Sequence, residues 1–79
     1  MNFILCKFLE CKKVVAKDGR IYYLATILYQ SVSKDIFFTD IELFDKFSQL
    51  SGFSDIKLYF DVSLRRDGTV SLVPNNIEV

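Results

Sequence analysis

The sequence has 79 residues, the size of one small domain, and a chain this short buries only about 60–65% of the surface its unfolded form exposes. Yet 51% of it is hydrophobic and 15% aromatic, without tryptophan, which is more apolar matter than so small a core hides. An exposed apolar patch is expected, used by a ligand or a second copy of the chain. Lys+Arg and Asp+Glu number 10 each, which excludes a bulk positive charge as the basis of partner choice. The absence of histidine removes the residue most used as acid, base or metal ligand.

Residues 2–15 (NFILCKFLECKKVV) read as a long strand. Cys6 and Cys11 lie five apart in it, which puts them on opposite faces about 16 Å apart at ~3.3 Å per residue, too far for a disulfide. Both are expected to be free thiols in a reducing compartment. With no apolar stretch of about 18 residues and no signal-peptide layout, a cytoplasmic chain with no membrane partner is expected. Ala16-Lys17-Asp18-Gly19 is a hairpin signal, because Asp-Gly supplies the positive φ of a tight turn. Residues 20–32 (RIYYLATILYQSV) form a second strand rich in β-branched and aromatic types. Ser33-Lys34-Asp35 is expected to turn the chain into a short third strand, Ile36-Phe37-Phe38.

Then the period changes. Thr39-Asp40-Ile41-Glu42 reads as a capping box opening a helix over 40–51. Its apolar face is Ile41, Phe44, Phe47 and Leu50, with Leu43 beside it. Gly52 is placed to end the helix in a left-handed conformation. Residues 56–64 (IKLYFDVSL) alternate, with Ile56, Leu58, Phe60, Val62 and Leu64 inward and Lys57, Tyr59, Asp61 and Ser63 outward. Arg65-Arg66-Asp67-Gly68 is a second Asp-Gly hairpin. A fifth strand runs over 69–73 until Pro74-Asn75-Asn76 breaks it, with Ile77 and Val79 pairing again.

The resulting order, β-β-β-α-β-β, predicts a mainly β fold: a five-stranded OB-fold Greek-key barrel with one helix between strands three and four, a single domain over residues 1–79. An SH3-like barrel has no natural place for a three-turn helix at that point.

Nothing in the sequence assembles a catalytic site, so no enzyme is expected. The carboxylates are scattered over turns, caps and a wet strand face. Two cysteines without histidine do not complete a zinc site, and there is no glycine-rich phosphate loop. No metal, cofactor or small-molecule substrate is expected. Binding is better supported, because the OB-fold binds oligonucleotides with the face of strands two and three and with the loops joining strands one to two and four to five. Lys12, Lys13, Lys17 and Arg20 flank the first of those loops, and Arg65 and Arg66 open the second. The blander explanation is that hairpin tips carry charge to stay soluble. Charge is uneven along the chain: six basic and two acidic side chains in residues 1–34, two basic and six acidic in 35–64. On the second strand the odd residues are expected to face the core, leaving Arg20, Tyr22 and Leu24 outward in a row at ~6.6 Å spacing. Bases stack on such rings with little regard to sequence. Tyr59 is a second candidate platform.

The run Gly19-Arg20-Ile21-Tyr22-Tyr23-Leu24, together with Asp67-Gly68-Thr69-Val70-Ser71-Leu72, resembles the small helix-destabilising single-stranded-DNA-binding proteins of filamentous phages. The similarity covers roughly residues 12–30 and 56–79. It implies a dimeric OB-type protein that coats single-stranded DNA during replication of a phage or mobile element, in the host cytoplasm. Arg20, Tyr22 and Leu24 then match DNA-contacting positions, and the second hairpin is the other contacting element. Where an aromatic is expected near that hairpin's tip, this chain has Arg65-Arg66-Asp67, and its helix is more pronounced than the family's connection. A different class of function, a protein-assembly subunit docking through Tyr22, Leu24 and Leu28, fits the zero net charge. RNA in place of DNA stays open.

Overall fold

In the computed structural model, which describes residues 2–79, five antiparallel strands and one helix follow the expected order. They are β1 (Asn2–Val15), β2 (Ile21–Tyr29), β3 (Val32–Phe38), α1 (Ile41–Ser48), β4 (Ser54–Leu64) and β5 (Val70–Glu78). All five strands belong to one sheet, in the order β3-β2-β1-β4-β5. β1 is the shared central strand: residues 2–8 pair with β4 and residues 7–15 with β2.

The barrel expected from the sequence is not closed, since no ladder joins β3 to β5. Two features of β5 disfavour that seam. Pro74 has no N–H to offer a further strand, and the register shift beside it, between Tyr59 and Phe60 on β4, leaves Asn75 without a partner. β5 nevertheless runs through Pro74 to Glu78 instead of breaking there, because a proline is tolerated on an edge strand.

A second irregularity, between Phe8 and Glu10 in β1, inserts Leu9 as an extra residue. It reverses which side chains face inward, as a β-bulge does. Before it, Cys6 and Phe8 are buried; after it, Cys11 turns to the same face, opposite the fully buried Ala25. The two cysteines therefore share the inner face rather than lying on opposite ones, and both remain free thiols. The Phe53 amide donates to the Phe8 carbonyl at 2.7 Å, tying the loop after α1 to the bulge.

The inner face of the sheet is plugged by α1. Phe47, fully buried, packs its ring against Phe8 at 5.6 Å and Phe38 at 5.5 Å, and Phe44 stacks on Tyr23 at 4.4 Å. Burying a side chain like Phe47 contributes roughly 1.5–3 kcal/mol. The helix is shorter than expected. Its N-cap is Asp40, not Thr39: the Asp40 carboxylate accepts from the amides of Glu42 and Leu43. Its buried residues are Leu43 and Phe47, one turn apart, which leaves Ile41 exposed. The left-handed residue beyond it is Phe53 (φ 64°), not Gly52.

Both Asp-Gly hairpins form as expected. In each, the glycine sits at positive φ (88° for Gly19, 86° for Gly68) and donates back to the residue three positions earlier, the three-residue loop ended by a glycine bulge. The turn between β2 and β3 lies elsewhere than expected. Gln30 and Ser31 (φ 48° and 68°) make it, and Ser33, Lys34 and Asp35 belong to β3.

Candidate nucleic-acid interface

The alternation expected for the second strand holds in its middle, where Tyr23, Ala25 and Ile27 are buried and Tyr22, Leu24, Thr26 and Leu28 belong to the outer face, but Ile21 and Tyr29 at its ends, also expected in the core, are exposed. Register then fixes their neighbours, because side chains directly opposite one another in adjacent strands share a face. Tyr22 lies opposite Val14 of β1, and Leu24 between Lys12 of β1 and Phe37 of β3. Thr26 lies between Glu10 and Asp35, and its hydroxyl donates to Asp35 Oδ1 at 2.9 Å.

Phe37 is the member of this patch that the sequence pattern does not mark. It is 57% exposed, and its ring meets the Tyr22 ring edge-on, with centroids 5.6 Å apart. Had residues 32–38 been taken as one strand, the alternation of Ile36 and Phe38 inward would have put Phe37 outward. Leu24, expected to be exposed, is only 7% so. It is the floor between Tyr22, Phe37 and Lys12 and not a surface a base can lie on.

The other expected residues divide. Lys12 is exposed beside the patch, whereas Lys13 lies opposite the buried Tyr23 and so belongs to the other face. Lys17 is exposed in the first turn. Arg20 is held by the hairpin's own carboxylate, with Nε 2.7 Å from Asp18 Oδ2 and its amide donating to Asp18 Oδ1 at 3.1 Å. An exposed pair of this kind contributes little to stability, but it leaves the guanidinium less available to a phosphate. Tyr59 does not join Tyr22. It lies across from Phe3, eleven residues along β1 from Val14, in a separate outer cluster. There its ring stands 5.7 Å from that of Phe3, and Lys57 Nζ lies 4.7 Å from the Phe3 centroid.

In the second hairpin, the Asp67 carboxylate accepts from the Thr69 hydroxyl at 2.7 Å and the Thr69 amide at 3.0 Å. Those bonds hold its carboxyl below the ordinary carboxylate range. Along β1 the two hairpins project from opposite ends, since Val15 leads into the first and Asn2 pairs with Phe60, just before the second. The curl of the sheet offsets this in part. Arg65 and residues 69–73 border a groove whose other wall is residues 34–37 of β3. Arg66 is exposed.

No protein-family model and no curated protein matches this chain. The outer face is therefore judged on its own chemistry. It offers an aromatic pair on an apolar floor, one adjacent lysine, and arginines on a hairpin across a groove. That set suits stacking and phosphate neutralisation. Among the described residues, no group of three Cys, Asp or Glu side chains is placed to hold a metal ion.

Proposed function

We propose that this chain binds single-stranded DNA with little sequence preference, coating it during replication of a phage or mobile element, and that its sheet is an open variant of the OB architecture. The single observation that carries this is the Tyr22–Phe37 pair on the outer face of β2 and β3, flanked by Lys12. Two rings on one sheet face stack bases whatever their identity, because every base has a π-face. The strand order β3-β2-β1-β4-β5 supports the architectural part: the OB-fold is a five-stranded, partly open Greek-key barrel that binds with this face. With zero net charge, attraction to the strand is local, from Lys12, Lys17, Arg65 and Arg66.

Anisotropy titrations of labelled single-stranded DNA, RNA and duplex, run in parallel at two salt concentrations, test this. Single strands are expected to bind at micromolar concentration or tighter, more weakly as salt rises. Tyr22→Ala is expected to lower affinity roughly 5- to 140-fold, the equivalent of about 1–3 kcal/mol, with the fold intact. Binding indifferent to salt, or Tyr22→Ala without effect, contradicts it.

The homodimer that accompanies this reading has its own support. Val62 and Leu64, on the inner side of the β4–β5 ribbon, run out past the core and are exposed. A two-stranded ribbon with a bare apolar side is marginal in water, and a second copy is the proposed cover.

A further inference from the structure

The free edges of β3 and β5 face each other across a groove of about 570 Å³. That volume falls within the roughly 300–1,000 Å³ range of small-ligand sites. One wall is Lys34, Asp35, Ile36 and Phe37; the other is Arg65 with residues 69–73. Three observations say what suits it. Lys34 and Arg65 stand on opposite walls, and neither has an ion-pair partner among the described residues. Asp35, the one acid on either wall, accepts the Thr26 hydroxyl hydrogen bond, so cations outnumber anions. Phe37 belongs both to this groove and to the outer patch through its contact with Tyr22, so the two surfaces are continuous. Both walls are also sheet edges, whose unpaired backbone amides donate to any acceptor that enters.

An extended peptide would pair with one edge and leave two like charges facing each other. A phosphodiester backbone satisfies both cations at once and supplies acceptors for the amides. We propose that the groove between β3 and β5 is the continuation of the nucleic-acid track: a single strand leaves the Tyr22 face over Phe37, turns round the free edge of β3, and passes its phosphates between Arg65 and Lys34, which lies opposite the buried Ile27 on the inner side. This rests on the reading of the Tyr22–Phe37 face as a single-strand site, and it adds Lys34 to the binding residues.

The test is the salt dependence of dT-oligomer binding by anisotropy, for wild type, Tyr22→Ala, the double variant Lys34→Ala/Arg65→Ala, Phe37→Ala and Phe37→Tyr. Circular dichroism melts serve as the fold control. The double variant is expected to flatten the plot of log K against log salt by about 1.4, two phosphates at about 0.7 each for a single strand. Phe37→Ala is expected to weaken binding roughly 5- to 140-fold, and Phe37→Tyr, which keeps the ring, to restore it. If wild type binds and both Tyr22→Ala and Phe37→Ala lose affinity, while the double variant keeps the wild-type slope, the groove proposal is overturned and the reading of the Tyr22–Phe37 face stands. If wild type itself fails to bind, both are overturned.

Discussion

Leu9 is one residue with no partner of its own in the β1–β2 ladder, and it determines which face Cys11 joins. By bringing Cys11 to the inner face alongside Cys6, it places two thiols in apolar surroundings. Burial pushes the Cys6 thiol up to about 11 from an ordinary 9.0, and burial with the neighbouring Glu10 charge raises Cys11 as well. Because the folded chain holds the Cys6 proton more tightly than the unfolded chain, the unfolded form loses it first as pH rises. The associated stability is complete below about pH 9 and is lost between about 9 and 11. Urea midpoints for wild type and Cys6→Ala between about pH 8.5 and 10.5 check this. The wild-type midpoint should fall more steeply, and parallel slopes would show that the thiol is not linked to folding. Leu24 and Phe37 make the same point about neighbours. Period two assigns Leu24 to the outer face, correctly, but the flanking Lys12 and Phe37 decide that it is covered.

At the scale of elements, the strongest local signals were the ones the fold kept. Asp-Gly at 18–19 and 67–68 needs positive φ at glycine, and no tertiary contact has to supply it. The helix is also where its period places it, although Asp40 rather than Thr39 takes the cap. The β2–β3 turn is the exception. Gln30 and Ser31 both adopt left-handed φ in a two-residue hairpin, where asparagine and glycine are the low-strain choice, so neither residue advertises the turn. Ser33-Lys34-Asp35 looks more like one but is held in β3 by pairing with 26–28. Gln30→Asn with Ser31→Gly should therefore stabilise the chain, by up to roughly 1–2 kcal/mol for each left-handed residue relieved, measurable as a higher urea midpoint. An unchanged midpoint would mean that the turn carries no strain.

At the scale of the whole molecule, the radius of gyration is 12.6 Å, against about 11.6 Å from the usual scaling for this length. The excess agrees with a β4–β5 arm that stands off the core. Leu64, on the apolar side of that arm, is 74% exposed, although strict alternation assigns it to the interior. The alternation gave the correct side, but the core ends near Phe60. If a second copy covers this arm, sedimentation should find a dimer at micromolar concentration. Leu64→Glu should then weaken self-association at least about tenfold, since covering one leucine is worth roughly 1.5–3 kcal/mol. A wild-type monomer at those concentrations would remove the dimer and leave the arm for another partner.

From the chain alone came the number and order of the elements, both glycine turns, the inward face of the middle of β2 and the first half of β4. Each depends on residues within about four positions of one another, through side-chain period or backbone φ. Folding decided what depends on residues far apart: the Leu9 bulge that turns Cys11 inward, the pairing that draws residues 32–35 into β3, and the missing seam between β3 and β5. The approach of Arg65 to Phe37 across the groove, which joins the second hairpin to the Tyr22 patch, is of the same kind. Those two residues are linked only by the curl of the sheet, which no local pattern records.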